Sequence, residues 1–277
     1  MNTSSTEWIL WSATVGRHTS LKERAIAARA AGFTRFSVSP IDITKAEKGG
    51  WPAADIGKWA ATEGLGLTMD PVLNWHPYER AWSAEFAQFS LGEILRMTRE
   101  LGCKSMTALA MEDCPFPVSD LAEPFRQLCR EVAPDGIAVH LEFIPMSVVR
   151  DLGTAWEIVR RAEEPNGGLL VDTWHFFRST PDFELLGSIP GERIFAVQIS
   201  DAAADVSGSL WDDTRQRKLP GDGDLDLLRV VRILASIGGL SLVGPEVISP
   251  DLAAMPCTDA AALGGERVRS LVRLAGA

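Results

Sequence analysis

Short apolar segments alternate with longer segments of helical spacing along the whole chain. In the first helical segment Leu21, Ala25 and Ala28 share one face, and Ser20 with Glu23 forms an expected N-terminal capping box. The apolar segments have the length of strands; they cover 8–15, 34–39, 65–70, 104–110, 137–144, 168–172, 194–200 and 240–247. The helical segments cover 21–31, 53–63, 86–101, 122–132, 148–162, 181–186, 227–237 and 260–275.

Eight strand–helix repeats of about 35 residues each predict an α/β protein whose parallel sheet closes into a (β/α)8 TIM barrel. A doubly wound sheet would need a glycine-rich phosphate-binding turn after the first strand. The segment 14–18, Thr-Val-Gly-Arg-His, contains no such turn. No linker rich in Pro, Gly and Ser divides the chain, so we predict a single domain over residues 1–277.

Polar side chains occupy positions in the last four strands where a barrel would otherwise be apolar. Along a barrel strand, alternate residues face the lumen. In segment 137–143 the apolar residues alternate with Ala138, His140 and Glu142, so these three are expected to face inward. The four strands each carry a polar residue near the C-terminal end, where the active sites of such barrels lie: Glu142, Asp172, Gln198 and Glu246.

Three carboxylates that meet at one rim repel one another unless they are protonated or bridged by a cation. Three carboxylates and one amide form an all-oxygen ligand set, which suits Mn²⁺ or Mg²⁺ better than Zn²⁺. Any one of these acids could instead cap the helix that follows it. The four residues together favour a divalent metal site.

Four segments of the sequence resemble the sugar phosphate isomerase/epimerase superfamily, a group of xylose-isomerase-like barrels. They are His-Leu-Glu-Phe-Ile-Pro at 140–145, Val-Asp-Thr-Trp-His-Phe-Phe-Arg at 171–178, Val-Gln-Ile-Ser-Asp at 197–201 and Gly-Pro-Glu-Val at 244–247. The resemblance implies that Glu142, Asp172, Gln198 and Glu246 hold the metal ion. Many members have His as the third ligand, and Gln198 looks more like the hydroxypyruvate isomerase and dehydratase branches.

The resemblance also implies that Glu142 and Glu246 flank a bound 2-hydroxy-ketone and exchange a carbon-bound proton. A bound metal stabilises an enediolate, and one carboxylate can act as base while the other acts as acid. The predicted function is therefore a divalent-metal-dependent isomerase or epimerase of a sugar, keto-sugar or related polyhydroxy carbonyl compound. The alternative is a lyase that dehydrates an inosose or 3-dehydroshikimate by β-elimination.

Three further polar residues are candidates for substrate binding. The resemblance makes His175 a partner of a substrate hydroxyl or oxyanion, and a capping or surface His is the alternative. Arg217 matches the family's Arg before a Pro-Gly-x-Gly turn and would polarise a substrate oxygen, unless it is a solvated residue of a basic loop. His140 is either a hydrogen-bond partner of the site or a satisfied core histidine.

Tryptophans at strand ends are candidates for the walls of the same site. Trp11, Trp75 and Trp174 lie at or just after predicted strands, so they could line the mouth of the barrel. Aromatic faces suit the C–H surfaces of sugars. We therefore count these three among the substrate-binding residues.

Composition narrows the possible partners. The chain is 46% hydrophobic and 23% charged, as expected for a folded protein. Its 37 acidic and 27 basic residues give a net charge of −10, which opposes nucleic-acid binding. An apurinic endonuclease shares the barrel but needs a His-rich three-metal site, and the chain has four His. A non-catalytic sugar-binding barrel remains an alternative; otherwise we expect a small polyhydroxy carbonyl substrate and no membrane.

The expected compartment is the cytoplasm. The first residues lack the basic region and the long apolar stretch of a secretory signal peptide. No apolar run approaches the ~20 residues that a membrane-spanning helix needs. The four cysteines, Cys103, Cys114, Cys129 and Cys257, form no CxxC pair and are expected to be reduced. The sequence leaves the oligomeric state open and is compatible with a homo-oligomer.

Overall fold

The computed structural model describes residues 6–16, 18–77, 88–111 and 117–277. The strands are β1 (Glu7–Leu10), β2 (Arg35–Val38), β3 (Gly66–Val72), β4 (Ser105–Ala108), β5 (Ala138–Glu142), β6 (Gly167–Asp172), β7 (Ile194–Ile199) and β8 (Leu242–Pro245). The α-helices of the described segments are α1 (Leu21–Ala30), α2 (Pro40–Lys48), α3 (Ala53–Thr62), α4 (Leu91–Glu100), α5 (Ala122–Val132), α6 (Leu152–Ala162), α7 (Thr173–Arg178), α8 (Phe183–Ser188), α9 (Leu210–Asp213), α10 (Leu227–Ile237), α11 (Pro250–Ala254) and α12 (Cys257–Leu274).

The strands follow one another in sequence order and the order closes, because β8 pairs with β1. The pairs are parallel, as in the register Trp8↔Val243 between β1 and β8 and Gln198↔Gly244 between β7 and β8. The predicted (β/α)8 barrel is therefore confirmed. In such a barrel the C-terminal ends of all strands share one rim.

The first strand is shorter than the sequence predicted. β1 ends at Leu10, and Ser12–Val15 forms a 3-10 helix instead of continuing the strand. The side chain of Thr14 explains this turn. Its hydroxyl donates to the carbonyl oxygen of Pro245 over 2.8 Å and accepts from the backbone N–H of Val247 over 3.1 Å. The turn after β1 is thereby fastened to the end of β8.

Local capping chemistry sets the helix starts. The capping box of Ser20 and Glu23 begins α1 as predicted. A second box of Ser39 and Asp42 begins α2, a helix that the periodicity did not predict. The short helix α7 was also not predicted, because it follows β6 directly and has only six residues. Asp172 is its N-cap.

The described chain groups into two compact units. The first comprises Met1–Phe36 and Leu170–Ala277, where α1 packs against α12 and a buried cluster forms the interior; the members of that cluster are Ile9, Trp11, Leu170, Ala196 and Leu242. The second is Ser37–Leu169, in which β3, β4 and β5 are consecutive and α5 packs against α6. The predicted single domain stays a prediction.

Two further properties bear on the sequence-based expectations. The cysteines of the described segments, Cys103, Cys129 and Cys257, are thiols, and Cys114 lies outside the described residues. Within those segments, no helix combines the length and the apolar character that crossing a bilayer requires.

Candidate active site

Asp172 is the fully buried last residue of β6. One carboxylate oxygen, Oδ1, accepts from the backbone N–H of His175 over 3.0 Å, so Asp172 does cap the following helix. The other, Oδ2, accepts from Nη1 of Arg217 over 2.7 Å. Burial alone would raise the pKa of Asp172, but the positive charge of Arg217 and the hydrogen bonds with the side chain of Glu246 and the backbone of His175 hold it below the usual value. The carboxylate is therefore ionised at neutral pH.

Arg217 is only 2% exposed and lies at the centre of the polar network. Besides Asp172, its Nη1 atom lies 3.2 Å from the carbonyl oxygen and 3.4 Å from Oε2 of Glu246. Its Nε and Nη2 atoms donate to Oγ1 of Thr214 over 3.3 and 3.2 Å. Its guanidinium lies 5.0 Å from the ring centre of Trp174, a cation–π distance. Arg217 is thus not a solvated loop residue.

A buried acid fastens the loop that carries Arg217. The carboxylate of Asp201 accepts backbone N–H groups of Ala202, Gly221 and Leu225 over 2.9, 3.0 and 3.1 Å. Its backbone also exchanges two 2.8 Å hydrogen bonds with Lys218. The residue after Arg217 is therefore tied directly to the end of β7.

His175 lies in α7 and is 5% exposed. Burial lowers the pKa of its imidazole to about 3, the charge of Asp172 opposes that change, and the charge of Arg217 adds to it. The ring is therefore neutral at neutral pH. Its Nε2 atom lies 3.5 Å from Nη2 of Arg217. Because a guanidinium only donates, this contact assigns the lone pair to Nε2 and the proton to Nδ1.

Gln198 is the residue of β7 that carries the amide expected at the rim. It is fully buried, and neither its oxygen nor its nitrogen has a hydrogen-bond partner among the residues that the structure describes. Burying an amide without partners costs about 1–3 kcal/mol per lost bond. A group left in this state usually marks the place of a ligand, ion or water.

Glu246 directly follows β8 and its side chain is 12% exposed. Its backbone N–H donates to the carbonyl oxygen of Ile199 over 3.1 Å, which fixes the residue at the end of the neighbouring strand β7. Its backbone position is thus fixed, and its carboxylate lies 3.4 Å from the guanidinium of Arg217.

Glu142 ends β5 and is 5% exposed, and His140, two residues before it, is 1% exposed. Asp172 and His175 lie close together, with Nε2 of His175 4.0 Å from Oδ2 of Asp172, and Glu142 is buried as well. His140 has interactions of its own, and its role remains a prediction.

The three predicted tryptophans are all buried, in different surroundings. Trp11 is fully buried in the interior cluster, and no described residue accepts a hydrogen bond from its indole N–H. Trp75 donates to the carbonyl oxygen of Leu109 over 2.6 Å and packs edge-on against Phe125. Trp174 donates to Asp213 over 2.9 Å.

Sequence reasoning missed Asp213, which connects α7 to the loop after β7. Its carboxylate accepts from Nε1 of Trp174 over 2.9 Å, from Nε of Arg178 over 2.7 Å and from the backbone of Ser207 over 3.1 Å. The pair Asp213–Arg178 has both side chains only 5% exposed. Asp213 therefore positions Trp174, on whose ring the guanidinium of Arg217 lies. No local pattern marks this acid, since its side-chain partners are 35 and 39 residues away.

A cavity of about 870 Å³ adjoins this network, and Arg217, Lys218, Val247, Ser249 and Leu252 are among its lining residues. Asp172, Gln198 and Glu246 do not line it. Among the described residues, Arg217 is therefore the member of the polar network that connects this cavity to the site.

The polar residues fit the divalent ion that the ligand set predicts. Carboxylate oxygens of Glu142, Asp172 and Glu246 are hard ligands, and the amide oxygen of buried Gln198 has no other partner to satisfy it. We therefore treat the four residues as a candidate metal centre.

A closed parallel barrel with buried acids at the C-terminal ends of its strands defines a class of protein, the (β/α)8 barrels with a polar site at the rim. The family model described as xylose isomerase-like TIM barrel matches residues 25–266. The chain therefore belongs to the xylose isomerase-like TIM barrel family.

Curated relatives of the chain are enzymes. It is 29% identical to a 3-dehydroshikimate dehydratase of Pseudomonas aeruginosa over 95% of its own length and 41% of that protein. It is 32% identical to an inosose isomerase of Bacillus subtilis over 48% of its length and 45% of that protein. The chain thus spans less than half of the length of either relative.

A solved structure confirms the fold. The IolI protein, crystallised with a bound zinc atom, superimposes with a TM-score of 0.81 at 19% identity, and the match covers 96% of this chain and 98% of that one.

Proposed function

We propose that the protein removes and returns a carbon-bound proton beside the ketone of a polyhydroxy carbonyl compound, as an isomerase or epimerase that requires a divalent metal ion. The observation that carries the proposal is the fully buried Gln198 amide without a partner, on the strand next to the one that ends in ionised Asp172. Curated relatives include inosose isomerases and 3-dehydroshikimate dehydratases, which supports this reaction class.

In the proposed site, Glu142, Asp172, Gln198 and Glu246 hold the metal ion, with Mg²⁺ or Mn²⁺ as the expected ion. The similarly folded IolI protein, which was crystallised with a bound zinc atom, supports a divalent cation. When bound, the ion supplies stabilisation of negative charge on the substrate oxygens. The remaining chemistry belongs to the side chains.

Glu142 and Glu246 are the proposed acid and base. They extend from β5 and the end of β8, so they can reach a substrate from different sides. A carboxylate needs to come within hydrogen-bond reach of the proton that it moves. Glu246 is held beside Arg217, with its Oε2 atom 3.4 Å from the guanidinium, so its carboxyl group is positioned before a substrate binds.

His175 and Arg217 orient the substrate in this proposal. The neutral imidazole of His175 can donate from Nδ1 to a substrate oxygen while Nε2 accepts from Arg217. The ring of Trp174 packs against the guanidinium of Arg217 through a cation–π contact. These roles keep the charged groups in place before the substrate arrives, which lowers the reorganisation needed during reaction.

A second candidate is dehydration of a cyclic hydroxyketone by β-elimination. One observation favours it: the match to the Pseudomonas aeruginosa 3-dehydroshikimate dehydratase covers 95% of the chain. The same proton removal begins both reactions, and the fate of the β-hydroxyl distinguishes them. The proposed enzyme is a single-domain cytoplasmic protein that binds a small molecule and no nucleic acid.

Proton NMR in D₂O tests the proposal. The Mg²⁺-loaded protein is mixed with 3-dehydroshikimate, inosose or a ketohexose, and the metal-free protein serves as reference. Deuterium at the carbon beside the ketone without loss of water supports the isomerase, and loss of water with a new alkene signal, or with aromatic signals in the case of 3-dehydroshikimate, supports the dehydratase. Glu246→Gln should abolish either signal, whereas Glu266→Gln, a change at an exposed residue of α12, should leave it intact. Absence of both signals from all three compounds contradicts the proposal.

A further inference from the structure

The indole N–H of Trp11 is a polar group that the proposed chemistry leaves unexplained. Trp11 is fully buried, and within the described segments its Nε1 atom has no hydrogen-bond partner. Its neighbours in the interior cluster, Ile9, Leu170, Ala196 and Leu242, are apolar and offer no side-chain acceptor. Since nearly all buried donors in proteins are paired, an unpaired one needs a specific reason.

The strand register places Trp11 beside the candidate active site. β1 pairs with β8 through Trp8↔Val243, and this register continued by three residues sets Trp11 level with Glu246. The approach of the two strands is close, because a Cβ atom on Gly244 would overlap the carbonyl oxygen of Ile9. Thr14 holds the turn after Trp11 against the same strand end.

The neighbours of Trp11 lie one layer of side chains below the candidate active site. Leu170 and Ala196 precede Asp172 and Gln198 by two residues, so each pair shares a face of its strand. The indole ring therefore packs on the apolar layer that supports the polar residues. A ligand bound at the rim would rest on this layer.

We propose that the Trp11 indole N–H donates a hydrogen bond to one hydroxyl oxygen of the substrate and thereby selects ring compounds that carry an oxygen at that position. The inference rests on the proposed function and adds to it a residue that determines specificity. A buried donor without an acceptor discriminates strongly against analogues that lack the oxygen, because their binding leaves the donor unpaired.

Trp11→Phe tests this idea, since it removes the N–H and keeps an aromatic ring. The substrates are inosose and the set of its monodeoxy analogues, and the measured quantity is kcat/KM. With inosose, the variant should lose roughly ten- to a hundred-fold. For one monodeoxy analogue, wild type and variant should be equal, because the lost hydroxyl is the partner of the lost N–H. Equal losses for every analogue would overturn the proposal.

A matched control and a binding measurement separate this proposal from the function itself. Trp156→Phe makes the same change on α6, at a partly buried residue, and should alter neither kcat/KM nor selectivity. In the ¹H–¹⁵N spectrum, the indole signal that Trp11→Phe removes should move downfield when inosose binds to the Mg²⁺-loaded protein. If wild type turns over no ketone, the proposed function fails, yet such a shift still supports the Trp11 contact. An indole signal that inosose leaves in place contradicts it.

Discussion

Nη1 of Arg217 lies 2.7 Å from Oδ2 of Asp172, and neither side chain is more than 1% exposed. The same guanidinium is 3.4 Å from the carboxylate of Glu246. One fixed cation therefore offsets part of the repulsion between two acids before any metal ion binds. This arrangement explains how the ionised Asp172 can be fully buried beside a second acid in the folded chain.

Arg217→Gln should destabilise the metal-free protein more than the metal-loaded one. Removal of one partner of a buried ion pair costs about 3–5 kcal/mol, because the remaining charge is left uncompensated. A divalent ion can replace part of the missing charge. Thermal unfolding followed by circular dichroism, in EDTA and then with saturating Mg²⁺, measures both effects.

Arg267→Gln is the control, because its 3.0 Å pair with Asp222 is substantially exposed. An exposed pair contributes about 0–1 kcal/mol. Identical melting temperatures of the two variants in EDTA would show that the Arg217–Asp172 pair stabilises nothing.

Gln198→Met should raise the stability of the metal-free protein and weaken metal binding. Methionine has a similar length, and it removes two buried polar atoms that have no partner. Replacing an unsatisfied buried group by an apolar one is expected to gain about 1 kcal/mol or more. Melting temperature in EDTA and Mn²⁺ affinity by isothermal calorimetry should therefore change in opposite directions.

The exposed Gln127→Leu on α5 provides the comparison for Gln198→Met. That variant should leave Mn²⁺ affinity unchanged. If Gln198→Met binds Mn²⁺ as tightly as wild type, Gln198 is not a ligand.

The residues at the C-terminal rim could be predicted from sequence, because the alternation of apolar and polar residues within each strand shows which side chains share a face. In β5, His140 and Glu142 interrupt an apolar alternation, and a period of two assigns them to one face. Such alternation needs no knowledge of the rest of the fold. The eight repeats then place the strand ends on a common rim, which the closed strand order confirms.

The network behind the rim could not be predicted, because it depends on contacts distant in sequence. The carboxylate of Asp213 accepts hydrogen bonds from Trp174 across 39 residues and from Arg178 across 35 residues. The sequence around Asp213 contains no pattern that indicates either contact. The short helix α7 was not predicted either, because six residues are too few for a helical periodicity to appear.

Asp213→Asn should destabilise the protein in a pH-dependent way. Burial would raise the pKa of Asp213, but the hydrogen bonds from Arg178 and the backbone of Ser207 bring it below the ordinary value. The unfolded chain, with a pKa of about 3.9, therefore takes up this proton first as the pH falls. The stabilisation is complete above about pH 4 and is lost as the pH drops through the folded-state pKa.

Urea unfolding of wild type and Asp213→Asn between pH 3 and pH 7 measures this contribution. At pH 7 the difference should be about 3 kcal/mol, as for a buried pair that loses its charge. It should shrink below about pH 4. Asp182→Asn, which removes the charge of an exposed N-cap, should show a much smaller difference. A constant difference across the whole range would contradict the role of the Asp213 charge.

Gly223→Ala should displace the loop that carries Arg217. A Cβ atom at this position would overlap the carboxylate of Asp201 and the carbonyl oxygen of Ala202. Both belong to the tightly bonded end of β7, so the loop has to move. Overpacking of this kind costs about 1–3 kcal/mol. The melting temperature should fall, and the Asp201 hydrogen bonds to Gly221 and Leu225 should lose their protection from amide exchange.

The same substitution at Gly92 separates the steric effect from a general response to alanine. Gly92 is exposed in α4, and no atom lies within 4 Å of a Cβ built there. Alanine in a helix is favoured over glycine by roughly 0.5–1 kcal/mol, so Gly92→Ala should be at least as stable as wild type. If Gly223→Ala also matches wild type in stability and in amide protection, the close approach of Gly223 to Asp201 does not hold the Arg217 loop in place.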